Sequence, residues 1–492
     1  MEDHLIFACS VGNVDVVKQL LAHPQINPNH QNVFGITPFY SACLHGFLEC
    51  VKLLLDDQRV DINERGNQAP TGFNIACANG RIDVVKLLLG DKRVDINKTD
   101  INGVTPFYVA CANGRSEVVK LLLNDERVDR KKADITGATP LHVACVNGNI
   151  EVLKLLLADQ DVDVNSTENT NSWTPFYIAC LNGKIEVVKL LLNDQRVKVN
   201  KPENTIGATP FYVACQEGRT EIVKLLLNDQ RFSLNKQDNK GGGTPLHVAC
   251  QLGRTEVVKL LLSDGRVEIN KAQTRSLTSF HLACAHGQIE VVKFLLSDER
   301  VDVNEAGNGR STPLSIACVN GHIEVVKLLL NHERIDINKT NRASGQAPFF
   351  DACNVGQTEI VKLLLSDKRV DTSKVNNIGT TPLIISCVQG HIGIVEILLA
   401  SGKGGNLNAK DKTRKTALEN SRLRSKSTRK FEWENEENYQ RAKKDCLRVV
   451  ELLESFQKNP IEMRAKLREK HGFTGKEQCF FFKKKNYFFI FI

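Results

Sequence analysis

The stretch Thr105-Pro106-Phe107-Tyr108-Val109-Ala110-Cys111 decides the fold, because close variants of it recur along most of the chain. Two free residues and Gly114 follow it, and then comes the apolar run Glu117-Val118-Val119-Lys120-Leu121-Leu122-Leu123. Twelve of the 15 cysteines end successive copies of the stretch, at intervals of 34 or 35 residues. They are Cys9, Cys43, Cys77, Cys111, Cys145, Cys180, Cys215, Cys250, Cys284, Cys318, Cys353 and Cys387. A period of this length predicts a solenoid of stacked repeats.

Each copy predicts two helices. Thr105 is a helix cap, since its hydroxyl can accept a backbone N–H, and Pro106 suits the first helical position. Gly114 marks a sharp turn, and the apolar run that starts at Glu117 is a second helix with Glu and Lys on its outer side. The recurring Val-Asp-Ile/Val-Asn stretch, as at residues 94–97, is predicted to be extended and to lead into a polar, hairpin-like turn. The pattern therefore indicates an all-α solenoid.

This pattern resembles the ankyrin repeat, whose signature Thr-Pro-Leu-His-x-Ala is intact at residues 139–144 and 244–249. The resemblance extends over about residues 1–400 as twelve repeats, numbered here one to twelve in chain order. It implies an ankyrin-repeat solenoid, in which helix–turn–helix units are joined by hairpin-like turns.

The chain departs from the ankyrin signature in ways that keep residue size and polarity. Most repeats carry Phe-Tyr in place of Leu-His, as at residues 176–177, and Asp-x-Arg-Val replaces the usual Gly-Ala after the second helix, as at residues 194–197. Repeat three begins with Thr71-Gly72 and repeat nine with Thr278-Ser279. Because both lack the proline, we expect weaker helix starts there.

The sequence divides into three parts. Residues 1–400 are the repeats, and residues 401–457 are a degenerate capping repeat with a basic and acidic insertion at about 425–445. Residues 458–492 are a C-terminal tail. Its segment 480–492 contains only Phe, Lys, Asn, Tyr and Ile, all of which have codons made of A and T alone, and this indicates a gene-model artefact. The alternative is a Phe-rich membrane anchor, too short to span a bilayer.

The net charge of +8 comes from the C-terminal region. Residues 1–400 hold 42 basic and 45 acidic side chains, whereas residues 401–492 hold 23 and 12, a net charge of +11. In the repeats the recurring second-helix Lys follows a Glu by three residues, so we predict a paired, solvated face and no nucleic-acid partner. The basic segment 410–430 has four interpretations: a nuclear-import signal, a contact with an anionic surface, phosphorylation at Ser425 or Ser427, or a disordered, solvated insertion.

The cysteines and histidines do not indicate catalysis or metal binding. Neighbouring repeats pack about 10 Å apart, which is too far for disulfides in the cysteine series and for four ligands around one zinc ion. We therefore predict buried, reduced cysteines, no metal and no cofactor. A Cys–His dyad, as His142 and Cys145 would form, is disfavoured because the Cys is present in every repeat while the His varies. The resemblance assigns that His a structural hydrogen bond between neighbouring turns. Hydrolase, metalloprotease and kinase motifs are missing from the sequence, so we predict no enzyme.

Positions that differ between repeats are candidates for recognition, because the fold does not require one residue there. One set lies in the turn before each Thr-Pro, and the resemblance places it, like the second set below, on the concave face, where partner proteins dock. It comprises Asn102, Trp173, Thr205, Lys240, Arg275, Arg310, Arg342 and Asn377. The other set lies between Cys and Gly, where Glu217, Leu252 and His286 replace a recurring Asn in repeats seven to nine. Trp173 is the first hot-spot candidate, with packing onto a neighbouring turn as the structural alternative.

We expect a non-enzymatic scaffold or adaptor that binds partner proteins along the concave face as a monomer. The residues Met1-Glu2-Asp3 do not resemble a signal peptide, so we predict a cytoplasmic protein, with the nucleus as the alternative. Two other functions stay open. One is a regulatory or membrane-surface tether that uses the basic C-terminal region. The other is a substrate of asparagine hydroxylation, for which the resemblance makes Asn97 a candidate. Ser425 and Ser427 are candidate phosphorylation sites.

Overall fold

The computed structural model describes residues 1–66, 70–274, 276–307, 311–427 and 436–473, with Asn438 described only in its backbone. Within these residues the regular secondary structure consists of 27 helices, without a strand. The chain divides into two compact units, Met1–Ala249 with Arg254–Glu268 and Cys250–Gly253 with Ile269–Ile492. The predicted all-α class is confirmed.

The first unit holds the first seven repeats and parts of the eighth. Its helices are α1 (Glu2–Val11), α2 (Val14–Leu21), α3 (Pro38–His45), α4 (Leu48–Asp56), α5 (Gly72–Asn79), α6 (Ile82–Gly90), α7 (Pro106–Ala112), α8 (Ser116–Leu123), α9 (Pro140–Asn147), α10 (Ile150–Ala158), α11 (Pro175–Leu181), α12 (Ile185–Asn193), α13 (Pro210–Gln216), α14 (Thr220–Leu227) and α16 (Thr255–Ser263). Helix α15 (Pro245–Gln251) has residues in both units.

The second unit holds repeats nine to twelve and the C-terminal cap. Its helices are α17 (Ser279–Ala285), α18 (Ile289–Ser297), α19 (Pro313–Asn320), α20 (Ile323–Leu330), α21 (Pro348–Val355), α22 (Thr358–Ser366), α23 (Pro382–Val388), α24 (Ile392–Ser401), α25 (Ala417–Lys426), α26 (Glu436–Lys458) and α27 (Pro460–Lys470).

Most first helices begin with the predicted cap, whereas α1 and α21 begin without a side-chain cap. In repeat four, Thr105 Oγ1 accepts the N–H of Tyr108 at 3.0 Å, and proline takes the first helical position. In repeat five the helix ends at Gly148, whose φ of 77° lies in the left-handed region that favours glycine. The two starts without proline also keep a cap: Thr71 accepts a backbone N–H at 3.1 Å, and Thr278 forms a capping box. These caps limit the weakness predicted there.

The core is made of the framework positions of every repeat. In repeat four, Phe107, Ala110, Cys111, Val119 and Leu122 are all buried. First helices pack on first helices, and second helices on second helices, within each unit. One repeat could not bury this apolar surface alone, so each repeat depends on its neighbours.

Asparagines of the Val-Asp-Ile/Val-Asn stretches join neighbouring repeats. Asn63 Nδ2 donates to the Arg93 carbonyl at 2.7 Å, and its Oδ1 accepts the N–H of Asp95 at 2.7 Å. One amide thus satisfies two backbone groups of the next repeat. The same pair of bonds is made by Asn29, Asn97, Asn165, Asn200, Asn235, Asn270, Asn304 and Asn338. The prediction that these stretches are extended is wrong, because they fold into consecutive turns around the bonds.

The Asp-x-Arg motif, or His-x-Arg at residues 332–334, links most repeats to the one before it. Arg93 Nη2 donates to the Leu55 carbonyl at 2.9 Å and to the Asp91 carboxylate at 2.6 Å. Leu55 lies in the last turn of α4, where carbonyls have no partner within the helix. The hydrogen bond from Arg93 lowers the pKa of Asp91. Equivalent bonds to the preceding repeat are made by Arg59, Arg127, Arg196, Arg231, Arg266, Arg334 and Arg369.

Repeats four and five make this link with a different arginine. Where other repeats carry Arg, repeat five carries Asp161, two residues after Asp159. Arg130, from the turn of repeat four, takes over: its Nη2 donates to the Leu123 carbonyl and its Nη1 to the Asp159 carboxylate, both at 2.8 Å. Leu123 is the equivalent of Leu55. At this junction the arginine therefore belongs to the earlier repeat instead of the later one, and it bonds the equivalent helix-end carbonyl and the equivalent aspartate.

The Phe-Tyr departure from the ankyrin signature preserves an inter-repeat bond. His142 Nε2 lies 3.0 Å from the Trp173 carbonyl in the next hairpin, which confirms the structural role expected for that histidine. In repeat four the Tyr108 hydroxyl donates instead to the Asp134 carboxylate of the next hairpin, at 3.0 Å. Tyrosine or histidine at this position thus links the first helix of one repeat to the hairpin of the next.

The predicted capping repeat is more ordered than expected. Helix α25 begins with a capping box, in which the Thr416 N–H donates to Glu419 at 2.7 Å. Helix α26 runs without interruption from Glu436 to Lys458, so residues 436–445 are helical and not a solvated insertion. Tyr439 anchors them, because it is buried beneath the Arg424 guanidinium, 5.4 Å from its ring. Residues 428–435 of the predicted insertion lie outside the described residues.

Helix α27 is a second difference from the prediction. Residues 460–470, expected to be tail, form a helix that packs on α24 and α26. Buried Glu396 of α24 accepts from Lys470 Nζ at 2.7 Å and lies 2.8 Å from His471 Nε2. Other repeats carry a Lys at the position of Glu396. The negative charge in this repeat therefore lets α24 bond Lys470 at the end of α27. Segment 480–492 lies outside the described residues.

In the part of the chain that the structure describes, every helix is too short or too polar to cross a membrane.

Candidate protein-binding surface

The recurring Asn between Cys and Gly has a structural role. Asn113 Nδ2 donates to the Ala78 carbonyl at 3.1 Å, and Asn147 Nδ2 to the Ala112 carbonyl at 2.8 Å. Each carbonyl lies at the end of the first helix of the preceding repeat, where it has no partner within the helix. The prediction that the fold does not require these positions is therefore wrong for Asn113, Asn147 and Asn320, which all make this bond.

The residues that replace this Asn face other groups. Glu217, in the first unit, is half-buried and accepts the side-chain amide of the preceding glutamine at 3.0 Å. In the second unit Leu252 is 42% exposed. His286 is exposed there too, and its Nδ1 lies 3.0 Å from the Leu282 carbonyl of its own helix. Val355, 40% exposed, occupies the same position in repeat eleven. Apolar and imidazole groups thus replace the asparagine in repeats eight, nine and eleven, and Val11 and His45 do the same in repeats one and two.

The turns before the first helices place most of the predicted residues in solvent. Exposed side chains there are Asn102, Thr205, Lys240, Arg342 and Asn377. The Thr205 hydroxyl donates to Glu203, and Asn377 Nδ2 donates to the Ala343 carbonyl at 3.1 Å. These two residues therefore also stabilise turns. Arg275 and Arg310 lie outside the described residues.

Trp173 packs on its own repeat. Its ring stacks on Tyr177, with the ring centroids 5.7 Å apart and 18° between the planes, and it is half-buried. The backbone N–H of Trp173 donates to the Glu168 carboxylate at 3.1 Å. The preceding Ser172 has a φ of 59°, in the left-handed region that favours glycine. The ring has a structural contact, and its exposed part stays a candidate for binding.

Apolar side chains at hairpin tips were missed among the predicted residues. In the first hairpin Val33 is 93% and Phe34 is 74% exposed. Ile101 and Ile135 are exposed at equivalent tips of neighbouring hairpins, which are joined by a bond from the Ile135 N–H to the Asn102 carbonyl at 3.0 Å. The signal in the sequence is a large apolar residue inside a polar turn. Clustered exposed apolar side chains are typical of interaction surfaces.

Acidic residues shape the hairpins from within. Buried Glu203 accepts the N–H groups of Thr205, Ile206 and Ala208 at 2.7 to 2.9 Å. Burial works to raise the pKa of Glu203, but these hydrogen bonds outweigh it and lower the pKa. The sequence did not reveal this role, because an acid in a turn usually points to solvent.

Comparison with known families fits this architecture. A family model described as ankyrin repeats, three copies long, matches the chain in overlapping segments from residue 5 to residue 411 without a gap. The chain belongs to the ankyrin-repeat family. No curated protein matches it. Ankyrin repeats in general are protein–protein interaction modules.

The second helices of these ankyrin repeats carry paired charges. Lys154 Nζ lies 2.6 Å from Glu151 Oε1, with both side chains more than half exposed. The same pair recurs at residues 49 and 52, 186 and 189, 256 and 259, 290 and 293, 324 and 327, and 359 and 362. The predicted paired face is confirmed at these positions.

The ankyrin framework encloses the cysteines. All 14 cysteines of the described residues are buried and free, as predicted. Burial raises the pKa of the Cys145 thiol, so the neutral, poorly nucleophilic form persists at neutral pH. Within the described residues, His, Cys, Asp and Glu do not gather in groups of three or more that could hold a metal ion.

The candidate modification sites differ in access. Ser425 is buried, and its hydroxyl donates to the Arg422 carbonyl at 2.9 Å, so phosphorylation there would require α25 to open. Ser427 is half-exposed at the end of α25. Asn97 is half-buried, and both ends of its amide are bonded to the next repeat. Hydroxylation of Asn97 would therefore require that turn to open.

One first helix carries a buried carboxylate that sequence reasoning missed. Asp351 of α21 is 5% exposed, and its Oδ2 has no hydrogen-bond partner within the described residues. Equivalent positions in the neighbouring repeats are Ile316 and Ile385. Burial raises the pKa of Asp351 to about 6, while the side chain of Ser315 works in the opposite direction. The signal in the sequence is one acid at a position that is aliphatic in repeats three to ten and in repeat twelve.

Proposed function

We propose that this ankyrin-repeat chain is a non-enzymatic scaffold or adaptor that binds partner proteins through its first helices and hairpin turns. The observation that supports this most strongly is the series Leu252, His286 and Val355 in the second unit. At this position repeats four, five and ten carry an asparagine whose amide donates to the end of the preceding first helix. Replacing that cap with an exposed apolar or imidazole side chain gives up a hydrogen bond and leaves apolar surface in water, which favours a binding role.

The test uses a purified partner. The full chain captures partners from cell extract, mass spectrometry identifies them, and affinity is then measured with the purified partner. The double variant Leu252→Ser, Val355→Ser is expected to bind at least about tenfold more weakly, because a truncated apolar anchor typically costs more than about 1 kcal/mol. The control, Glu324→Gln on the paired second-helix face, is expected to keep full affinity. Unchanged binding by a folded double variant would contradict the proposal.

A second candidate function is a tether to an anionic membrane surface. It is favoured by the net charge of +11 on residues 401–492 and by the exposed Lys410, Lys412 and Arg414 before α25. Each such cation contributes about 1 kcal/mol near an anionic bilayer. We expect the full chain to sediment with phosphatidylserine vesicles at low salt, and replacement of the three cations by Gln to abolish this. Equal sedimentation with neutral vesicles, or indifference to salt, would count against a tether.

A further inference from the structure

The residue that follows the turn glycine of a repeat bonds the end of the preceding first helix. Arg81 Nε donates to the Leu44 carbonyl and Arg115 Nε to the Ala78 carbonyl, both at 2.9 Å. Each carbonyl lies in the last turn of a first helix, where it has no partner within the helix. Neutral residues make the same bond at Asn149, Gln288 and Gln357. The bond therefore requires an N–H donor and not a positive charge.

The first unit carries cations at this position. They form a row that we call the cationic ladder: Arg81, Arg115, Lys184, Arg219 and Arg254. Arg219 Nε and Arg254 Nε donate to helix-end carbonyls at 3.1 and 2.9 Å. Among the described residues, the Nη groups of the four arginines have no hydrogen bond and no ion pair. The bonded Nε thus fixes each side chain, while the Nη groups, which carry most donors of a guanidinium, stay available.

The ladder side chains reach water. Arg115 is exposed, and the other four are half-buried. A Cβ placed on Gly80 would lie 3.1 Å from Arg115 Cδ, so the stem of Arg115 crosses the turn glycine of the preceding repeat. Repeats nine to twelve carry only Gln or His at the ladder position. Because Gln makes the structural bond, the fold does not require the charges of the ladder.

Nearby acids leave these charges unpaired. An acid lies two residues after each ladder position, but it has a lysine of its own: Glu186 pairs with Lys189 at 2.7 Å, and Glu256 with Lys259 at 2.6 Å. Glu217, which follows the carbonyl bonded by Arg254, accepts the preceding glutamine amide at 3.0 Å. The ladder is therefore a row of positive charges along the turns between first and second helices.

The spacing of the ladder matches an extended peptide. Lys184, Arg219 and Arg254 come from three consecutive repeats, and packed helices lie about 10 Å apart. In a polyproline II peptide every third side chain points the same way, at intervals of about 9 Å. A guanidinium can bond a carboxylate through two N–H groups. Single-stranded nucleic acid fits less well, since its sites add aromatic side chains for base stacking, and the residues between Cys and Gly beside these three cations are not aromatic.

We propose that the cationic ladder binds an extended, acidic segment of a partner protein, in which Asp or Glu at every third residue faces Lys184, Arg219 and Arg254. This inference rests on the proposed function, because it gives the chemistry of one partner segment. It uses residues other than Leu252 and Val355, so the two can fail separately. The spacing of the ladder supplies the selectivity among acidic segments.

The test uses the full chain, fluorescently labelled peptides and anisotropy at physiological ionic strength. The probe is a peptide of repeated Glu-Pro-Pro triplets. One control peptide has the same composition with all its Glu in one block, and the other has Gln-Pro-Pro triplets. We expect the Glu-Pro-Pro peptide to bind at least about fivefold more tightly than the block peptide and at least about tenfold more tightly than the neutral one.

The variant Arg219→Gln, Arg254→Gln removes two charges and keeps a donor for each carbonyl, as Gln288 and Gln357 show. It is expected to weaken binding of the Glu-Pro-Pro peptide at least about tenfold. The matched control is Lys92→Gln, Lys132→Gln, which removes the same charge from exposed lysines in the turns after α6 and α8. It is expected to change affinity by less than about twofold, because distant exposed charges are screened.

The inference is overturned if the block or neutral peptide binds as tightly as the Glu-Pro-Pro peptide, or if both double variants weaken binding equally. Tighter binding of single-stranded polyuridine would overturn it as well. If no peptide binds, but the captured partner binds and is lost in Leu252→Ser, Val355→Ser, this inference fails and the proposed function stands. Circular dichroism verifies that each variant is folded.

Discussion

Replacing Arg130 with isoleucine, the residue of several other repeats at this position, is expected to weaken the junction of repeats four and five by about 2–3 kcal/mol. The variant loses the donors to the Leu123 carbonyl and to the Asp159 carboxylate, and Asp159 is left largely buried without its cation. Hydrogen exchange read by mass spectrometry on α8 and α10 measures the local opening. A repeat array need not unfold in one step, so a local measurement is sharper than a global melt.

The natural control is the arrangement of the other repeats. Adding Asp161→Arg to Arg130→Ile restores an arginine two residues after Asp159, and it is expected to recover at least about half of the lost stability. Asp161→Arg alone should gain little, because two guanidinium groups would compete for one carbonyl and one carboxylate. If the double variant opens as readily as Arg130→Ile, the arginine acts through packing of its stem and not through these bonds.

Asp351→Val is expected to stabilise repeat eleven at neutral pH, since valine occupies this position in repeats four, five, seven and eight. The pKa of Asp351 is raised from 3.8 to about 6, so the folded state holds the proton more tightly than the unfolded state. The cost of the charged carboxylate is absent below pH about 4, grows as pH rises, and is complete above pH about 6. The shift of about two pKa units corresponds to about 3 kcal/mol.

Urea unfolding followed by circular dichroism checks the sign of this effect. The gain in the free energy of unfolding from Asp351→Val should be larger by about 2–3 kcal/mol at pH about 7.5 than at pH about 4. Glu359→Gln serves as the reference for an exposed carboxylate. An equal gain at both pH values would mean that valine acts by packing alone and that Asp351 is not strained by its charge.

The repeat fold was predictable because the same sequence pattern recurs in each repeat. The roles of Thr105 as a cap, of Cys111 as a small buried residue and of Gly148 in a left-handed turn depend on nearby residues. Such local effects can be recognised in the sequence of a single repeat. The turns at residues 94–97 were predicted to be extended because their shape depends on bonds that Asn97 makes to the following repeat. Residues 436–445 looked like a solvated insertion because they are rich in charge, and only the burial of Tyr439 shows why they are helical.

The surface was predictable to a lesser degree. Leu252 and His286 stood out because they break a recurring pattern, and both are exposed. The pattern itself was misjudged, since the capping bond from Asn113 to the preceding repeat depends on how two copies stack. Asp351 was hidden for a similar reason. One acid in an aliphatic series has no meaning until its burial and its missing partner are known.

The buried cysteines give each repeat a reporter of its own. Every one of the twelve repeats carries a free thiol at the same place in its first helix, and each is shielded by the stack. A thiol reagent reaches such a cysteine only while that repeat is open. Because the cysteines lie in peptides of different mass, the order in which they are alkylated is the order in which the repeats open. Alkylation of the native cysteines would thus show which repeats open most readily, without any introduced label.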